Sequence, residues 1–87
     1  MDPAEQAQRV IDVFFRDGRL VSIPARQGKR WFVLVEIRER CFAEDRDYPE
    51  KEVNLRLALL HPDVAALRRY LVDSGLMTRS GGIYRRA

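Results

Sequence analysis

Cysteine and histidine are almost missing: Cys41 and His61 are the single members of their kinds in 87 residues. One thiol cannot close a disulfide within the chain. One thiol and one imidazole also fall short of the ligand set that a structural zinc takes. A nucleophilic Cys41 with His61 is the remaining chemical option, but Cys41 keeps company with Ile37 and Phe42, a setting in which free cysteines behave as small inert hydrophobes. An enzyme is therefore not expected, nor a metal or cofactor. Long apolar runs are missing too: none approaches the roughly 20 residues that cross a bilayer. The opening MDPAEQAQRVID lacks the basic start and apolar middle of a signal peptide, so the expectation is a cytoplasmic protein with no membrane attachment.

Acid is scarce at the C-terminal end. Residues 1 to 47 hold nine Lys/Arg and nine Asp/Glu, while residues 48 to 87 hold seven and four, which is the whole net charge of +3. The last fourteen residues carry Arg79, Arg85 and Arg86 and no acid. A basic end of this kind favours an anionic partner, though modestly.

What is present is the composition of an ordinary soluble domain, 46% hydrophobic and 33% charged. A chain this short buries only about 60% of its unfolded surface, so its core is small, with little room for an enclosed active site. From Pro3 to Arg16 apolar residues at 7, 10, 11 and 14 mark one helical face, with Asp2 as cap and Pro3 in the first turn. Asp17-Gly18 stops it, and RLVSIP (19 to 24) reads as a short edge strand or extended arm. A second helix spans 29 to 42 with Leu34, Ile37 and Cys41 inward and Trp31, Val35 and Phe42 widening the apolar arc. An arc this broad suggests a central helix. Arg38 falls inside it and is expected to lay its stem on the core and its head on water or a carboxylate. Phe32 points away from the arc as a candidate exposed aromatic, while Trp31 reads as core. Pro49 opens a third helix with Val53, Leu57 and Leu60 as core stripe, and Leu55 and Leu59 on the opposite side ask for a partner. His61 is a turn residue ahead of Pro62 and Asp63, which open the fourth helix on Val64, Leu67 and Leu71. Gly75 ends that helix. Met77 to Arg86 around Ser80-Gly81-Gly82 is a hairpin.

Helix, tight turn, helix, then hairpin is the plan of a winged helix-turn-helix. The predicted fold is accordingly mostly α with a small β hairpin: helix, short strand, three helices and a two-stranded wing. It forms one domain over 1 to 87, with 1 to 18 as an N-terminal helical extension. The fourth helix ends in the manner of winged-helix regulators of the MarR and ArsR kinds. FFRDGRLVSIPARQGKR, YPEKEVN and HPDVAALRRYLVDSGLMTR resemble a small bacterial family catalogued as a domain of unknown function, found alone or appended to transcriptional regulators. That resemblance covers residues 14 to 86 and implies bacterial gene control.

Arg68 and Arg69 are the good DNA ligands on the fourth helix, where exposed Ala65 and Ala66 offer at most contact with a thymine methyl. Solvent-exposed arginines on an amphipathic helix are the competing reading. Arg79, Arg85 and Arg86 on the wing suit phosphate, or else solubilise a chain end. Arg26, Lys29 and Arg30 gather where cations oppose a helix dipole, which hints at a held anion; salt bridges to Asp17, Glu44 or Asp45 would explain them equally. The expected function is a non-enzymatic DNA-binding regulatory module on double-stranded DNA, contacted by Arg68, Arg69, Arg79, Arg85, Arg86, Lys29 and Arg30, acting as a homodimer. The alternative is a protein-interaction module that pairs with itself or with a regulatory protein through Phe32, Leu55 and Leu59. RNA binding is a further option.

Overall fold

The computed structural model describes residues 2–87. Four helices carry the fold, joined by a two-stranded and a three-stranded antiparallel sheet. Helix α1 spans Pro3–Phe14. The Asp2 carboxylate accepts from the Ala4 N–H at 3.0 Å, and Pro3 occupies the first turn, so the local chemistry read from the sequence does start this helix. It ends at Phe14 rather than Arg16, because Phe15–Arg16 (β1) turn back on Arg19–Leu20 (β2). Asp17 sits at φ 52 and Gly18 at φ 75, the two positive values that a tight two-residue hairpin needs. The expected arm is thus the second strand of a tiny ribbon, pinned to the rest by the Leu20 N–H on the Leu60 carbonyl at 3.0 Å.

Helix α2, Gln27–Cys41, is central as its broad arc predicted, packing against α1 and against a later helix, α4 (Val64–Asp73). Val33, Leu34, Ile37 and Cys41 are its buried residues. Two neighbours on it exchange the places expected of them. Trp31 is 44% exposed, while Phe32 is half-buried and packs on the core. The helix has to face α1 on one side and α4 on another, and α1 cannot be located from the α2 sequence alone. Arg38 behaves as expected, with its guanidinium donating to the Leu76 carbonyl at 3.1 Å and to Glu39 at 3.3 Å.

Strand β3 (Tyr48–Pro49) runs directly into helix α3, Glu50–Ala58, whose first turn carries Glu50 and Glu52 against the positive end of the dipole. Helix α4 follows after a short turn, in which His61 Nδ1 accepts from the Asp63 N–H at 3.0 Å. The Asp63 carboxylate then caps α4 by accepting from the Ala66 N–H at 3.2 Å. Gly75 closes α4 at φ 79, with the Leu76 N–H on Leu71 O and the Gly75 N–H on Val72 O. That paired closure needs a left-handed residue, which glycine supplies without strain. Strands β4 (Met77–Ser80) and β5 (Ile83–Arg86) form the hairpin around Gly81 and Gly82.

The three-stranded sheet is ordered β3-β5-β4, with Tyr48 opposite Tyr84 and Pro49 opposite Ile83. Pro49 is tolerated because β3 is an edge strand. The core lies between this sheet and helices α2, α3 and α4: Val33, Ile37, Phe42, Tyr48, Val53, Leu57, Leu67, Leu71 and Met77 are all essentially inaccessible. Phe42 and Tyr48 meet edge to face at 5.1 Å. Cys41 is buried with them, and burial pushes its thiol above the ordinary range. Among the described residues no helix is long and apolar enough to cross a membrane.

Candidate functional site

Helix α4 and the β4–β5 hairpin frame a cleft of about 330 Å³ lined by Glu50, Ala65, Arg68, Arg69, Val72, Asp73, Arg79 and Tyr84. The sequence places these side chains for simple reasons. With Leu67 and Leu71 turned into the core, positions 65, 68, 69 and 72 fall on the outer side of α4. The alternation of β5 turns Tyr84 inward, against the first residue of α3.

Glu50 organises the cleft. Its carboxylate lies 3.1 Å from the Arg79 guanidinium and 3.6 Å from that of Arg68, and accepts the Tyr84 hydroxyl at 3.2 Å. Arg68 also donates to Asn54 Oδ1 at 2.8 Å, which ties α4 to α3. Burial pushes the Tyr84 hydroxyl up, and its bond to the Glu50 carboxylate adds to this.

The seven cations predicted to hold DNA therefore fall in separate places. Arg68, Arg69 and Arg79 share the cleft. Arg85 lies further along β5, donating to Asp47 at 2.6 Å with Asp45 at 3.4 Å, and these acids raise its guanidinium pKa. Arg86 is turned inward, donating to the Phe42 carbonyl at 2.7 Å and to Glu39 at 3.0 Å. That bond holds the Glu39 carboxyl below the usual range. Arg30 lies 4.3 Å above the Tyr70 ring and donates to the Ala25 carbonyl at 3.0 Å. The salt bridges weighed for the α2 start do not form there; Glu44 and Asp45 hold Arg46 and Arg85 instead. Lys29 lines a separate apolar groove with Arg9, Val10 and Val13 between α1 and α2. Among the described residues, Arg69 and Lys29 alone of the seven make neither an ion pair nor a side-chain hydrogen bond to the protein.

Of the three predicted interface residues, Leu55 is 64% and Leu59 72% exposed, whereas Phe32 belongs to the core margin. Leu55 lines a shallow apolar trough between α3 and α4 with Lys51, Asn54, Ala58, Val64, Ala65 and Arg68. Sequence reasoning did not assign Glu50, Asn54 or Tyr84 to the site. The register of β3 on β5 is the signal that would have found them, because it brings the start of α3 to the hairpin. Among the described residues no three of His, Cys, Asp and Glu gather as a metal would require.

Residues 19–86 match a bacterial family described as "Uncharacterized protein conserved in bacteria (DUF2087)". The chain belongs to this family. The matched span starts at the first residue of β2 and contains the whole cleft, the hairpin and the α3 leucines, leaving α1 and β1 outside it. No curated protein and no solved structure matches the chain.

Proposed function

We propose that this member of the family is a non-enzymatic winged-helix module of bacterial gene control, working in the cytoplasm, that lays α4 and the β4–β5 hairpin against duplex DNA. The observation that carries this reading is the α3–turn–α4 pair followed at once by the hairpin, with β3 completing a sheet in the order β3-β5-β4. In winged-helix proteins that arrangement presents the second helix of the pair to a groove and the hairpin to the backbone. The cleft supplies three guanidiniums against the carboxylates of Glu50 and Asp73. Exposed ion pairs of the Arg79–Glu50 and Arg85–Asp47 kind are weak, so a phosphate can take the carboxylate's place at small cost.

The internal pairing also sets the strength. With Arg86 committed to the fold and Arg68 and Arg79 shared with Glu50, about two to four phosphate contacts remain, giving a salt slope of roughly −2 to −4 and weak, mainly sequence-independent binding. Fluorescence anisotropy with generic duplex DNA across a salt series tests it. Binding at about 50 mM salt with tens of micromolar protein is expected; its absence would sink the proposal.

A second reading rests on a separate observation, the bare leucines of α3 beside the apolar trough. Here the same fold serves as a protein-pairing module, with the arginines left in solvent or in their internal pairs. Sedimentation of wild type and a Leu55→Lys, Leu59→Lys variant tests it. A monomeric wild type that the variant matches rules out self-pairing.

A further inference from the structure

Next to the cleft, and sharing Asp73 with it, lies a second cavity of about 270 Å³ lined by Gln27, Arg30, Trp31, Leu34, Tyr70, Asp73 and Ser74. It lies between the first turns of α2 and the last turn of α4, so its two charges stand at the wrong ends of their helices. Arg30 is in the first turns of α2, where the dipole favours anions, and Asp73 is the last residue of α4, where it favours cations. Arg30 is compensated locally. Its guanidinium donates to the Ala25 carbonyl at 3.0 Å and stacks 4.3 Å over Tyr70. Asp73 is not. Among the described residues its carboxylate has no ion-pair partner, and the Ser74 hydroxyl beside it donates to the Leu71 carbonyl at 3.1 Å instead. The remaining wall is Trp31, a large aromatic left 44% exposed by a chain that buries the adjacent Phe32 more deeply.

We infer that this slot binds a planar heteroaromatic base that presents adjacent N–H donors, guanine being the simplest. Trp31 and the Arg30–Tyr70 stack offer flat, polarisable surfaces for a ring. Leu34 closes the apolar floor. Asp73 is exposed and carries no ion pair among the described residues, so a ligand that displaces its water has to bring donors rather than an anion. The N1–H and N2–H of guanine point the same way and suit both oxygens of one carboxylate, whereas adenine places an acceptor at N1 and is repelled. The volume accommodates one base. The base arrives either as a free nucleotide or as an unstacked residue of a single strand, which proteins read through the same edge. None of this requires the α4–hairpin cleft to touch DNA.

Trp31 is the sole tryptophan, so its indole N–H gives one reporter signal in a proton–nitrogen correlation spectrum of the full chain. Titration with guanosine monophosphate is expected to move that signal saturably, with a midpoint at or below a few millimolar, about −4 kcal/mol at 1 mM. Adenosine monophosphate carries the same phosphate and should bind about tenfold more weakly or worse, as should guanosine monophosphate to Asp73→Asn, because each leaves the donor–carboxylate match unmade. Asp73 is exposed at a helix end, so this variant keeps the fold, and thermal melting checks that it does. A short thymidine strand with one central guanosine separates the sources: tighter binding than the mononucleotide assigns the slot to single strands, equal or weaker binding to free nucleotide. No saturable shift up to about 10 mM would overturn the inference. So would titration curves that Asp73→Asn leaves unchanged, or equal binding of the two mononucleotides.

Discussion

The β4–β5 hairpin and the outer side of α3 are neighbours with opposite surface chemistry. Each arginine of the hairpin has a carboxylate: Glu50 for Arg79, Asp47 and Asp45 for Arg85, Glu39 for Arg86. The outer side of α3 instead leaves Leu55 and Leu59 bare. A hairpin built only to hold phosphate would not surround its cations with fixed anions, and a helix built only to close a core would not leave leucines in water. The contrast teaches that charge counted along a chain overstates charge offered to a partner. The net +3 of this sequence is unchanged by such pairing, but the cations on the surface where DNA contact was expected are mostly tied to carboxylates of the same fold.

The largest effect expected from breaking this arrangement is at Arg86. Its guanidinium is mostly covered and bonds a backbone carbonyl of α2's cap residue as well as Glu39. Arg86→Ala should cost about 1–3 kcal/mol of stability by urea unfolding, since a charge-assisted bond is lost and the Phe42 carbonyl loses its donor. Arg69→Ala, on the same molecule but without an ion pair, should change stability by no more than about 0.5 kcal/mol. Equal losses at the two sites would erase the distinction between structural and available arginines.

Glu50→Gln sharpens the comparison from the other side. It removes the carboxylate shared by Arg68 and Arg79 while keeping an acceptor for the Tyr84 hydroxyl. On the DNA reading, duplex affinity at low salt should rise about three- to tenfold and the salt slope steepen by about one. Unchanged binding would mean that the cleft does not face phosphate. A smaller effect is expected from Leu55→Lys with Leu59→Lys: stability within about 0.5 kcal/mol of wild type, because neither side chain contributes to the core. A larger loss measured on the monomer would show that this face is covered within the chain.

Three helix starts were legible because each is a local event: Asp2 with Pro3, Pro49 with Glu50 and Glu52, and the Pro62-Asp63 break, although there Asp63 caps the helix and Pro62 lies just before it; α2 starts at Gln27, two residues before the expected position 29, on a residue without a side-chain cap. Gly75 and the Gly81-Gly82 turn were legible because they too are local. Strand β3 was not, since Tyr48 and Pro49 have a strand's partner only far along the chain, at Tyr84 and Ile83. Missing that strand hid the partners of the candidate site. Once Tyr48 pairs with Tyr84 in an antiparallel register, Asp47 comes opposite Arg85 and Glu50 comes up beside the hairpin turn, where its N–H donates to Gly82 O at 2.9 Å. The exchange of Trp31 and Phe32 has a similar origin. They are adjacent on a helix with an apolar arc on several sides, and only the positions of α1 and α4 decide which is covered.

The smallest predicted effect concerns acid. Glu52 lies between Arg46 at 2.6 Å and Arg56 at 2.8 Å, and the Arg46 hydrogen bonds, ahead of those from Arg56, hold its carboxyl below the ordinary 4.5. Glu39 is lowered in the same direction, first by its hydrogen bond from Arg86. A carboxyl whose folded pKa is depressed binds its proton more readily in the unfolded chain. Its stabilising contribution is therefore complete above the unfolded value and is lost as pH falls through the folded one. Thermal melting should show Glu52→Gln and Glu39→Gln below wild type near neutral pH, with each gap closing as pH drops under 4.5. Of the two, Glu52 should leave the wider gap at neutral pH, because its carboxylate is the less exposed and its guanidinium contacts, at 2.6 and 2.8 Å, are shorter than those of Glu39, at 3.0 and 3.3 Å. A gap independent of pH at either position would mean that the carboxylate contributes by packing and not by charge.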